Sequence, residues 1–310
     1  MVLRSDLKAK GLVMMTYEEV LQQIEQMRTQ SKANDDKRDA GLPLQIPGVK
    51  RIDDLSYGPD PKWHLLDLYL PEDINEKIPV IISIHGGGWC YGTKETYQFY
   101  GMGLAKRGFA VVNFNYRLAP EVKFPKELDD INAVFHWVVQ NATNYNLDLD
   151  NVFVVGDSAG GQMAQQYVTI LSNPVYRALF GYERPELTVR ATALNCGVYF
   201  IDQSENQAGV GEAYFKQDDG SYPLEKLEVE KYMNQDMPPL FVMTSSHDFL
   251  HDAAFRLDGY LLAKGIDHEL HVYGDEKNPR YHVFHVNQRD GIASLCNDDE
   301  VAFFKRYLNK

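Results

Sequence analysis

The stretch Val152-Phe153-Val154-Val155-Gly156-Asp157-Ser158-Ala159-Gly160-Gly161 decides how the rest of the chain is read. Four apolar residues come first, three of them β-branched. A glycine-flanked serine follows, and residues 161–171 have helical spacing. A short, continuous apolar run suits a strand buried on both faces, as in a parallel sheet. A serine on a sharp turn between such a strand and a helix is the context of a nucleophile elbow. Gly156 and Gly160 leave room for strand and helix to approach at the turn. The plainer alternative is an ordinary strand-to-helix turn with a capping serine.

Similar apolar runs lie at residues 78–84, 109–114 and 240–243, further strands are read at 191–194 and 269–273, and residues 51–70 read as two strands, of which 64–70 alternates as a half-exposed one. Helical patterns fall between them, at residues 97–106, 125–140, 161–171 and 252–264, with a last helix at about 298–307. Alternating strand and helix predicts an α/β fold with a mostly parallel sheet. Two segments stand apart. Residues 16–32 read as an amphipathic helix carrying Val20, Ile24 and Met27, ended by the polar stretch 33–47. Residues 199–237 are polar with interspersed Tyr199, Phe200, Tyr214, Phe215 and Tyr222. A structureless loop of that length is improbable inside a domain, so short helices and a lid role are expected there. The division expected is an N-terminal helical arm at residues 1–50 contributing to a cap, and a catalytic domain at 51–310 with a cap insertion at about 199–237.

The net charge of −13 opposes binding to nucleic-acid phosphates. No apolar run approaches the roughly 20 residues needed to span a bilayer. Cys90, Cys196 and Cys296 are few and widely spaced, so free thiols in a reducing cytoplasm are expected. The start of the sequence is mixed and charged rather than leader-like, which agrees with that location.

His85-Gly86-Gly87-Gly88-Trp89 follows the strand at 78–84. Glycines there free the backbone to aim N–H groups at a developing oxyanion, and the N–H of Ala159 adds to them. In an elbow fold the acid and the histidine follow the serine in that order. Asp248 is the first carboxylate after the strand at 240–244 and is preferred over Asp252, which reads as a helix N-cap. His282 and His285 follow the last strand, and His282 comes first. The nine histidines show no metal-ligand spacing, so no metal and no cofactor are implied.

Taken together, these segments resemble the hormone-sensitive-lipase-like esterases of the α/β-hydrolase superfamily. The residues that carry the resemblance are the His85–Trp89 run, Gly156-Asp157-Ser158-Ala159-Gly160-Gly161, Tyr116-Arg117-Leu118-Ala119-Pro120-Glu121 with Phe124-Pro125 and Asp129, and the segments around Asp248 and His282. The chain departs from the family at Asn115, where Asp is common, and at Val283, where Gly is usual. The resemblance implies an eight-stranded α/β-hydrolase sheet flanked by helices, a helical cap, and hydrolysis of a small-molecule carboxylic ester without a cofactor. The roles expected are Ser158 as nucleophile, His282 as base and Asp248 as its partner, with Gly87, Gly88 and Ala159 forming the oxyanion hole. His85 and Asp157 are expected to brace the glycine loop. Trp89, Tyr91 and the cap aromatics are candidates for lining the substrate pocket. A peptidase or thioesterase using the same three residues, a non-catalytic small-molecule receptor on this fold, and a homo-oligomeric assembly stay open.

Overall fold

The computed structural model describes residues 15–72, 76–201 and 209–309. Among these residues eight strands form one sheet: β1 (Val49–Ser56), β2 (Leu65–Pro71), β3 (Ile78–Ile84), β4 (Ala110–Phe114), β5 (Leu147–Asp157), β6 (Val189–Asn195), β7 (Leu240–Ser245) and β8 (His268–Tyr273). Their spatial order is β1-β2-β4-β3-β5-β6-β7-β8. β2 runs antiparallel to both neighbours, and the six strands from β4 to β8 are parallel.

The unbroken apolar runs follow from burial on two faces. Along β5, Val152 and Val154 join one core layer and Phe153 and Val155 the other. The first layer is completed by α3 (Lys126–Tyr145), α4 (Ala159–Ser172) and α8 (His251–Lys264). The second is completed by α2 (Lys94–Ala105) and α9 (Gly291–Arg306). Each fully buried Val, Leu or Ile contributes about 1.5–3 kcal/mol, so the two-sided sheet is the main source of stability.

The N-terminal helix α1 (Tyr17–Asp39) starts where the sequence indicates. Thr16 and Glu19 form a capping box, with Glu19 N–H donating to Thr16 Oγ1 at 3.2 Å and Thr16 N–H to Glu19 Oε2 at 2.6 Å. Its end differs. The helix continues past residue 32 to Asp39, because its last turns find tertiary partners that no local pattern encodes. Tyr91 Oη donates to Asp35 Oδ2 at 2.8 Å, and Arg38 Nη2 donates to the Thr96 carbonyl at 2.8 Å. Val20 and Ile24 are buried, and α1 packs on α6 (Val210–Phe215).

The segment after β6 carries α6, the single turn α7 (Leu224–Leu227) and a 3₁₀ turn at Val229–Lys231. Residues 1–14 of the expected arm and 202–208 of the expected insertion lie outside the described residues. The sequence reading missed α5 (Pro174–Phe180), which Asn173 caps by accepting from the N–H groups of Val175 and Tyr176. The last helix begins at Gly291 rather than near 298, because Asp290 caps it by accepting from Ile292 N–H at 2.9 Å. Among the described residues no helix is long and apolar enough to cross a membrane.

Candidate active site

Ser158 sits between β5 and α4 at φ 55° and ψ −116°. A non-glycine residue there is strained and must be held by its surroundings. The turn is tight enough to exclude side chains at its glycines. A Cβ on Gly160 would lie 2.2 Å from the Ile84 carbonyl oxygen and 2.5 Å from that of His85. Only glycine lets α4 start this close to β3.

Three side chains from distant parts of the chain meet at the carboxyl end of the sheet. Ser158 Oγ lies 2.9 Å from His282 Nε2, and His282 Nδ1 lies 2.8 Å from Asp248 Oδ1. Asp248, just past β7, also accepts from Leu250 N–H at 2.9 Å and from Thr244 Oγ1 at 3.3 Å. Burial penalises the charged form of its carboxyl, but the hydrogen bonds from His282, Cys196 and Leu250 outweigh this and hold it below the usual range. Such a line can pass the serine proton to the ring and stabilise the imidazolium that results.

The competing residues lie elsewhere. Asp252 is fully exposed beside His251, within the first turn of α8 rather than at its N-cap position, which is Leu250. His285 is fully buried, and its Nε2 lies 3.1 Å from Asp157 Oδ1. Asp157 was expected on the glycine loop. Its carboxylate instead meets His285 and accepts from Asn195 Nδ2 at 3.1 Å.

His85 does contact the glycine loop. Its Nδ1 lies 2.8 Å from the Gly86 carbonyl, and its ring stacks on Tyr116 at 4.1 Å. Burial pushes its pKa down to about 4, so the ring is neutral. Gly87, Gly88 and Trp89 all have positive φ, at 119°, 57° and 60°. Among the described residues, the N–H groups of Gly87, Gly88 and Ala159 donate to no protein atom. They line the same cleft as Ser158, and Ala159 is the first residue of α4, whose dipole favours negative charge there.

The cleft measures about 640 Å³. Trp89 and Tyr91 line it, as the sequence suggested. Trp89 is held by donating Nε1–H to Gln162 Oε1 at 3.0 Å. Tyr214 and Phe215, expected among the cap aromatics, do not line the cleft; they are buried against Trp89. In their place α1 contributes Met27, Ser31, Asn34, Asp35 and Arg38 to the lining, together with Phe249, Leu250 and Val283. Sequence reasoning passed over these α1 residues as lining. The spacing 27, 31, 34, 35, 38 is one helical face, but a mostly polar one, so an apolar-periodicity search does not flag it. Phe249, 77% exposed, lies 4.3 Å from the His282 ring.

Among the described residues one group of metal-ligand types comes together: Cys196, Asp248 and His282. Both nitrogens of His282 are already engaged within the serine–histidine–aspartate line.

The family model described as BD-FAE matches residues 66–182. Carboxylesterase NlhH of Mycobacterium tuberculosis is 29% identical over 244 residues, covering 75% of this chain and 76% of NlhH. Esterase LipQ of the same species is 26% identical over 218 residues, covering 66% of this chain; the chain spans only 51% of LipQ. Esterase B from Lactobacillus rhamnosis, in a crystal structure inhibited with a tributyrin phosphonate, superposes with a TM-score of 0.86. It shares 26% identity, over 94% of this chain and 96% of that one. With its eight-stranded sheet, serine elbow and glycine loop, the chain has the α/β-hydrolase fold of esterase B and is similar to carboxylesterases over most of its length.

Proposed function

We propose that the protein is a serine carboxylesterase that cleaves small to medium acyl esters through an acyl-enzyme. The observation that carries this reading is the continuous Asp248–His282–Ser158 line, with contacts of 2.8 and 2.9 Å, opening on a cleft edged by free N–H groups. His282 takes the Ser158 proton as Oγ attacks the ester carbonyl. Asp248 holds the ring by Nδ1 and balances its charge. The N–H groups of Gly87, Gly88 and Ala159 receive the oxyanion, each donor being worth about 3–4 kcal/mol in comparable enzymes. His282 then protonates the leaving alcohol, and water repeats the sequence to release the acid. In the same reading α1 and the segment after β6 form a cap that sets the substrate, with Trp89 and Tyr91 in contact with it. Three free, buried cysteines agree with work in a reducing cytoplasm.

Ser158→Ala tests the assignment. It is expected to lower turnover of p-nitrophenyl butyrate by about 10⁴–10⁶-fold and to abolish labelling by a fluorophosphonate. Retained turnover in this variant would exclude Ser158 as the nucleophile.

A further inference from the structure

We propose that Asp157 and His285 form a second clasp between the serine turn and the histidine loop, and act as positioning residues for Ser158 and His282. The proposal rests on the reading of Ser158 and His282 as nucleophile and base.

Asp157 directly precedes Ser158, and His285 follows His282 by three residues. The same two loops are therefore joined twice: Ser158 Oγ to His282 Nε2 at 2.9 Å, and Asp157 Oδ1 to His285 Nε2 at 3.1 Å. A single hydrogen bond lets one loop pivot about the other. A second contact nearby removes that freedom. Both turns also need holding. Ser158 has φ 55° and Val283 has φ 49°, conformations that non-glycine residues keep only where the surroundings over-determine them. The clasp joins these two strained turns.

The clasp is anchored on both sides and buried. Asn195 Nδ2 donates to Asp157 Oδ1 at 3.1 Å and to Glu300 Oε2 at 2.9 Å. Tyr100 Oη donates to Glu300 Oε1 at 2.8 Å. The His285 carbonyl accepts from Asn297 Nδ2 at 3.2 Å. Asp157, Asn195, His285 and Glu300 are all fully buried. The charged groups acting on His285 are Asp157 at the end of β5, Glu300 on α9 and Arg38 on α1. A buried, hydrogen-bonded pair of titratable groups is a poor source of net stability, because desolvation offsets the attraction, and apolar residues would pack this site at less cost. What such a pair supplies is one fixed geometry. Placement matters here, since a displacement of about 1 Å in a reacting group can cost about 10²-fold in rate.

The test compares His285→Phe, which fills the site but cannot donate to Asp157, with His285→Gln, which can. Fluorophosphonate labelling to completion counts active sites, and kcat and KM for p-nitrophenyl butyrate are expressed per labelled site. His285→Phe is expected to lower kcat by about 10²-fold while KM stays within about threefold, and His285→Gln to keep kcat within about fivefold of wild type. A loss of packing alone would reduce the labelled fraction and leave kcat per site unchanged. Turnover of His285→Phe within about twofold of wild type per site, or a fall in His285→Gln as deep as in His285→Phe, overturns the clasp. A wild-type protein that neither labels nor hydrolyses overturns instead the assignment of Ser158 on which the clasp rests. Should His285→Phe not fold, Asp157→Asn takes its place: a kcat fall of about tenfold at constant KM supports the clasp, and an unchanged kcat overturns it.

Discussion

Beneath the serine turn, Glu300 is buried between Tyr100 and Asn195. Burial pushes its pKa from 4.5 up to about 6, against the opposing pull of His285 and its two hydrogen-bond donors. The raised value means that the folded protein binds this proton more tightly than the unfolded chain does. Its contribution to stability is therefore full below about pH 4.5 and is lost as pH rises through about 6, an effect of about 2 kcal/mol. In Glu300→Gln the unfolding free energy, followed by urea denaturation, should fall less than that of wild type between pH 4.5 and 7, by about that amount. Asp248 works in the opposite sense. Its lowered pKa gives stability that is present above the ordinary carboxyl range and disappears as pH falls below it. Gly160 answers to sterics rather than charge. In Gly160→Ala the new methyl meets the backbone oxygens of Ile84 and His85, so β3 and α4 must part. A loss of about 3 kcal/mol or more is expected, read as a lower Tm together with lost turnover. Val283 shows what a single position can conceal. The esterases that the sequence resembles usually have glycine there, and a φ of 49° is one that favours glycine; this chain adopts it with a β-branched residue.

Among the elements, α1 links the cleft to the rest of the molecule. Arg28 holds it down, donating Nε–H to the Cys90 carbonyl at 2.8 Å and Nη2–H to that of Ala119 at 2.9 Å, with Glu121 2.7 Å away. These contacts tie the helix that carries Ser31, Asn34 and Asp35 to the end of the glycine loop. Arg28→Met keeps much of the side-chain volume and removes every donor. It should cost about 1–3 kcal/mol of stability, measured by thermal unfolding, and raise KM for p-nitrophenyl butyrate more than it lowers kcat. The reason for that split is distance from the reacting atoms: α1 shapes one wall, whereas the serine, histidine and aspartate come from loops of the sheet. The start of α1 was readable because the helical spacing of Val20, Ile24 and Met27 is a local signal. Its end was not, because Asp35 and Arg38 are stabilised by Tyr91 and Thr96, over fifty residues away.

The cleft is a property of the whole molecule. It draws on α1, the glycine loop after β3, the turn after β5, the loop after β7 and the histidine loop. About 640 Å³ with a partly polar wall suits a compact ester rather than a long chain. Across p-nitrophenyl esters from acetate to palmitate, kcat/KM is expected to peak at short to medium acyl groups and to fall for palmitate; a profile still rising at palmitate would contradict this. The parallel sheet was legible because two-sided burial writes unbroken β-branched runs into the strands, and the serine turn because only glycines fit around it. The glycine loop at residues 86–88 was legible for the same steric reason. Between His282 and His285 the order along the chain supported only a preference for the first, since both follow the last strand and lie three positions apart. Which ring faces Ser158 and which faces Asp157 depends on how a 3₁₀ turn at Phe284–Val286 rotates the loop against β5 and α9. Composition and periodicity report forces that act along the chain; the direction of a side chain across a gap of more than a hundred residues is decided only when the packed elements meet.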